Sequence, residues 1–235
     1  MKVVTVSPLT FEWYMMLSIF MGLSLVLLFV VKRISLQWKE RILRCIGFAM
    51  LFDLLFMEGY LLYNGNFSMS VSLPLAYCSI MEIFAICAAI FQSKRCFEFA
   101  IFFGITGPVQ AFAAPAQVVI GEEYILIDYF LTHGLTILIP IYMAVCMGFK
   151  PRKGSIFKVI LGMELIAVVV YLINIQLGAN YMYLLQKPEV NHLLNFAPWP
   201  YYILNWHVCL YTVAFLINGL FVFNSYLDRK TTGLL

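Results

Sequence analysis

The sequence predicts an all-α membrane protein: a seven-transmembrane-helix bundle with its N-terminus outside and its C-terminus cytoplasmic. Three observations predict it. First, 63% of the 235 residues are hydrophobic and only 11% are charged, whereas an ordinary soluble domain is about a quarter charged. Mean hydropathy is +0.91. Second, apolar stretches near the roughly 20 residues that cross a hydrocarbon core follow one another almost end to end. Third, lysine and arginine alternate between successive connections. Backbone groups in hydrocarbon must satisfy their own hydrogen bonds, so such stretches are helices. The period-2 alternation of a membrane barrel is absent.

Each span has its own boundary signals. The first, 13–31, opens at Trp13 after Glu12 and is followed by Lys32 and Arg33, a signal-anchor pattern rather than a cleavable leader. The second, 43–63, follows the basic residues Lys39 and Arg41. The third, 73–92, precedes Lys94 and Arg95. The fourth, 97–119, contains Gly104-Ile-Thr-Gly107-Pro108, which should bend it and free backbone carbonyls. The fifth, 124–148, stops before Lys150; the sixth, 156–177, before Gly178; the seventh, 200–224, before Arg229 and Lys230. Connections are short, so residues 1–235 form a single polytopic membrane domain.

Orientation follows from charge. One set of connections and span ends holds Lys32, Arg33, Lys39, Arg41, Arg44, Lys94, Arg95, Lys150, Arg152, Lys153, Lys158, Arg229 and Lys230. The other holds Lys2 and Lys187. That is 13 against 2 of the 15 basic residues, and the positive-inside rule puts the larger set in the cytoplasm. Adding or removing a span would destroy the alternation. The expected location is the plasma membrane. The six cysteines, Cys45, Cys78, Cys87, Cys96, Cys146 and Cys209, fall within spans or at their inner ends, which argues against a disulfide framework.

Ionisable groups inside spans are costly and mark function by default. Asp53, Glu58, Glu82, Asp128 and Glu164 lie in the spans, with His133, His207 and the amides Gln110, Asn174, Asn205 and Asn218. Glu58, Cys78, Glu82, Gln110, Pro115, Asp128, His133, Asn174, Asn180, Asn205 and His207 all fall toward the outer ends of their spans. They point to a polar cavity in the outer half of the bundle, with Asp53 and Glu164 nearer the middle. Any one of them alone is better read as interhelical glue. Cys78 and Glu82 are four apart and share a face. Asp128 and His133 are five apart and diverge by about 140°, so they form no local acid–histidine pair. Gly134 lets a neighbouring helix or ligand approach closely.

Several strings occur together: Leu73-Pro-Leu-Ala-Tyr-Cys78, Phe102-Phe-Gly-Ile-Thr-Gly-Pro-Val-Gln-Ala111, Phe130-Leu-Thr-His-Gly134, Gly178-Ala-Asn-Tyr-Met182, Lys187-Pro188 and Trp199-Pro-Tyr-Tyr202. In this order they resemble the YwaF-like bacterial integral membrane proteins, related to the transmembrane-protein-164 acyltransferase family. The resemblance covers about residues 70 to 205. It implies a cysteine-dependent transfer of a fatty acyl chain onto a lysophospholipid, with Cys78 matching the motif cysteine and His133 the histidine of the fifth span. Two departures stand out. Ala76 occupies the position where the family usually has a histidine, and Trp13 stands in the region of an early histidine. Their loss argues for divergence.

If Cys78 is a nucleophile, it needs a base, which His133 or His207 could supply, with Glu82 or Asp128 orienting the ring. Gln110, Asn180 or backbone N–H groups could stabilise an oxyanion. Glu58, Asn174 and Asn205 would join Glu82, Gln110, Asp128, Asn180 and His207 around the substrate. The plainer alternative is that Cys78 is a small packing residue. No metal site or cofactor is expected, because no zinc-ligand spacing recurs, and the last span lacks a lysine for a retinal Schiff base. Nucleic acid is excluded as a partner, because the basic residues flank the membrane. The expected partners are membrane lipids. On the competing reading the chain is a catalytically inactive family member, acting as a subunit or lipid- or substrate-binding component of a membrane protein complex. A third reading, a proton-coupled carrier using Glu58, Glu82 and Glu164, needs access from both sides.

Overall fold

The computed structural model describes residues 10–113, 123–188 and 193–231, which contain helices and no strand. Helix α1, Phe11–Val31, is capped by Thr10, whose side-chain oxygen accepts from the Trp13 N–H at 3.3 Å. Helix α2, Leu36–Tyr63, begins seven residues before the expected start at 43. Lys39 and Arg41 are therefore helical rather than part of a connection. Lysine and arginine are strong helix formers, and their charged ends extend the helix beyond the apolar run that defined the span.

The third and fourth spans depart most from expectation. Helix α3, Tyr77–Phe91, has 15 residues, about 22 Å at 1.5 Å per residue, against a hydrocarbon core of about 30 Å. The Leu73-Pro74-Leu75 segment lies in the turns before it. The fourth span is broken into α4, Lys94–Phe103, and α5, Thr106–Ala113, at Gly104 and Ile105. Residues 114–119 of that span, with Pro115, lie outside the described residues, as does Lys2. Helix α6, Glu123–Met147, carries Pro140 internally. Helix α7, Ser155–Leu177, ends at Gly178, which takes φ of +60°, a conformation that glycine adopts without a Cβ clash. Helix α8, Tyr201–Thr231, runs seven residues past the expected end at 224. Among the described residues, six helices are long and apolar enough to cross a membrane, with α4 and α5 taken as one.

Helix α3 packs on α2, α4 and α6; α1 lies on α6, and α8 on α4 and α7. The buried face of α3 includes Ala85, Ala88 and Ala89, small residues that permit close helix approach in lipid. A Cβ on Gly47 of α2 would stand 2.8 Å from the Ala89 Cβ. At one end of the bundle, the Tyr142 hydroxyl of α6 donates to the Lys39 carbonyl at 2.9 Å. At the same end, Glu98 of α4, 1% exposed, accepts from the Arg152 backbone N–H at 2.8 Å and from its Nε and Nη2 at 2.9 and 2.6 Å.

The opposite end is tied by loops. Asn174, fully buried, donates to the Tyr181 carbonyl at 2.9 Å and accepts from the Tyr181 N–H at 2.8 Å. The Tyr181 hydroxyl accepts from Leu73 N–H at 2.8 Å and donates to the Met69 carbonyl at 2.9 Å. Asn174 and Tyr181 thus hold the approach to α3 in place.

Candidate functional site

Breaking a helix frees carbonyls that hydrocarbon cannot solvate. At the α4–α5 break the Phe103 carbonyl accepts from the Tyr77 hydroxyl and from Thr106 Oγ1, both at 2.8 Å. The break therefore anchors the first residue of α3 and brings Cys78 against α5. A Cβ on Gly107 would stand 2.7 Å from the Tyr77 ring and 3.2 Å from Cys78 Sγ, so only glycine fits there without displacement. At the other end of α5, the Phe112 carbonyl accepts from Trp13 Nε1 at 3.0 Å. Trp13 thus braces α5 from α1.

Next to Cys78 lies a cavity of about 180 Å³. Three stripes of residues spaced four apart build it: Asp53 and Met57 on α2, Cys78 and Glu82 on α3, and Asp128, Thr132 and Thr136 on α6. Leu54, Ser79, Pro108 and His133 complete the wall. The Asp128 carboxyl shares this space with that of Asp53. Glu82 Oε1 and Asp53 Oδ2 are buried without a hydrogen-bond partner. His133 Nδ1 is 2.8 Å from the Tyr129 carbonyl. A carbonyl only accepts, so Nδ1 carries a proton, and in the neutral ring Nε2 then keeps its lone pair. Gly134 beside it receives the Phe20 ring of α1, so the occupant of that space is a neighbouring helix.

Of the candidates read from the sequence, Cys78, Glu82, Asp128 and His133 line this cavity. The other six are not among its lining residues. Gln110 is two positions past Pro108 and so is turned well away at about 100° per residue, while Glu58, four past Leu54, lies a turn beyond the wall on α2. Asn174 is spent on Tyr181. Asn180 organises its own loop, donating to the Gln186 carbonyl and accepting from the Leu185 and Gln186 N–H groups. Asn205 donates to the Leu194 carbonyl at 3.2 Å. His207 Nε2 lies 3.1 Å from Glu164 Oε1, and the Tyr211 hydroxyl donates to that same oxygen. This second polar cluster joins α7 to α8.

Four polar lining residues fall outside the candidates read from the sequence. Asp53 was placed nearer the middle of the bundle. Ser79 follows Cys78 directly, while Thr132 and Thr136 continue the spacing from Asp128. Extending each stripe by four residues would have found the two threonines. Glu98, with its ion pair to Arg152, was missed because Lys94 and Arg95 beside it mark an interface rather than a buried carboxyl.

An all-helical chain with several apolar helices long enough to span, holding a thiol and carboxyls around one internal space, is a multi-pass membrane protein. It belongs to the TMEM164 family, whose model matches residues 6–218. No curated protein and no solved structure matches the chain.

Proposed function

We propose that this chain is a lipid-active, acyltransferase-like enzyme of the plasma membrane, of the YwaF-like bacterial type, with Cys78 as nucleophile and His133 as its base. One observation carries the reading: Cys78, His133 and carboxyls from three helices line a single space beside a helix break. In the first half-reaction the Cys78 thiol gives its proton to His133 Nε2, and Sγ attacks an ester carbonyl of a donor phospholipid. The ester C–O bond breaks, the leaving hydroxyl takes the proton, and a thioester remains. In the second half, a lysophospholipid hydroxyl attacks the thioester and passes its proton to His133. The C–S bond breaks and the thiolate recovers the proton. Pro108 has no N–H and the Val109 N–H bonds the Ile105 carbonyl, which leaves the Thr106 and Gly107 N–H groups at the start of α5; Gly107 packs against Cys78, which favours these two over Gln110 and Asn180 for the oxyanion.

The reading includes seven crossings, N-terminus outside and C-terminus cytoplasmic. Its support is the course of α3. Gly47 of α2 sits against Ala89, while Asp53 and Met57 share the cavity with Cys78 and Glu82, so α3 runs antiparallel to α2. Helices α2 and α4 both start at the end where Lys39 meets Tyr142 and Glu98 meets Arg152. A chain that leaves by α2 returns by α3 before α4 begins.

The test is acyl transfer by purified protein in proteoliposomes. Cys78→Ala and His133→Ala are each expected to abolish transfer while leaving thermal unfolding unchanged. Normal transfer in both variants would remove the proposal. A second reading, an inactive subunit or lipid-binding component, is favoured by Ala76 at the N-cap of α3, where the family motif carries histidine. It expects co-purification with a membrane partner and no effect of Cys78→Ser.

A further inference from the structure

We infer that the cavity beside Cys78 binds a primary ammonium group. The inference rests on the same site as the proposed acyl transfer and adds the chemical class of what enters it. Asp53, Glu82 and Asp128 contribute three carboxyls to one space, and among the described residues no lysine or arginine lines it. Glu82 is 9% exposed, and its buried Oε1 has no hydrogen-bond partner among the described residues; Asp53 is half-buried as a residue, and its buried Oδ2 likewise has none among them. A desolvated carboxyl oxygen without a donor is costly. Both belong to carboxyls that line one cavity, where a donor that enters can offset that cost.

The donors select the ligand. A metal ion needs several ligands at one short distance, and no His, Cys, Asp or Glu cluster among the described residues meets that condition. A quaternary ammonium has no N–H to give and is held by aromatic faces. Among the described residues the lining offers no Phe, Tyr or Trp. A primary ammonium carries three N–H donors and no acceptor, one for each carboxyl. Leu54, Met57 and Pro108 supply apolar wall for the methylenes attached to the nitrogen. A space of about 180 Å³ suits a short aminoalkyl group, whereas acyl chains must stay in the bilayer. The amine is carried either by a phospholipid headgroup or by a free small molecule.

The experiment uses the full chain in nanodiscs of phosphatidylglycerol, doped equally with phosphatidylethanolamine and phosphatidylcholine. Lipid retained after delipidation is quantified by native mass spectrometry, with free ethanolamine as competitor. At least tenfold preference for the primary amine over the quaternary one is expected. Loss of that preference in Glu82→Gln and in Asp53→Asn, with unfolding temperature kept, supports the assignment. Displacement by free ethanolamine identifies the bare amine as sufficient, and its failure to displace assigns the site to the lipid-borne amine. Equal retention of the lipids, or a preference unchanged in both variants, overturns the inference. Acyl transfer that persists without amine preference would sink this inference alone. Amine preference without transfer would sink the enzyme reading alone.

Discussion

Gly107 and Cys78 face each other across the junction of α5 and α3, so closely that a Cβ at 107 would lie 3.2 Å from Sγ and 2.7 Å from the Tyr77 ring. The same junction binds the Tyr77 hydroxyl to the carbonyl freed by the helix break. Position and thiol are therefore set together. Gly107→Ala is expected to destabilise the protein by about 1–3 kcal/mol, the usual cost of overpacking, and to slow alkylation of Cys78. The measurements are unfolding in mixed micelles and the maleimide reaction rate. An alanine variant as stable as the parent would show that the contact is slack.

Asn174 closes two hydrogen bonds to the backbone of Tyr181, and Tyr181 in turn holds Leu73 and Met69. Removing it leaves buried backbone groups unpaired, at about 1–3 kcal/mol each. Asn174→Ala is expected to lower stability and to speed hydrogen exchange in residues 69–76 as well as around 181. Exchange altered only next to position 174 would contradict the coupling.

Glu164 and His207 pair across α7 and α8. Polar contacts between membrane helices average about 0.6 kcal/mol and reach about 1.7. A double-mutant cycle with Glu164→Gln and His207→Gln is expected to give a coupling energy in that range. A coupling of zero would mean that the pair is not formed in the membrane.

The Arg152 guanidinium meets a carboxyl that is almost wholly buried. Arg152→Ala strands Glu98 without its cation and is expected to lower the unfolding temperature well below that of the neighbouring Lys153→Ala variant. Equal temperatures for the two would show that the pair contributes nothing.

Orientation has its own test. A cysteine placed at Lys187 is expected to react with a membrane-impermeant maleimide in intact cells, whereas one at Lys153 reacts only after permeabilisation. The reverse pattern would invert the topology.

Helical membrane character was legible in composition, because hydropathy integrates over whole spans and tolerates local error. Span ends were less so. The apolar window stopped at Leu43 and Asn224, while α2 and α8 continue through charged residues that favour helix once outside the hydrocarbon. The break in the fourth span was visible in Gly104 and Pro108, since both act locally. The cavity was legible only in part. Cys78, Glu82, Asp128 and His133 were singled out by depth and type, but depth does not say which way a side chain faces. Glu58 and Gln110 share that depth and are not among the residues that line the space. Asn180 and Asn205 looked like site amides because their partners are backbone carbonyls and N–H groups of loops, which no pattern in the sequence displays.

The most direct measurement is intact-protein and peptide mass spectrometry after incubation with a phospholipid donor and no acceptor. The expected result is one acyl adduct, released by neutral hydroxylamine, on the peptide holding Cys78, absent in Cys78→Ala and strongly reduced in His133→Ala. Adducts confined to other cysteines, or acyl transfer undiminished without Cys78, would contradict the enzyme reading.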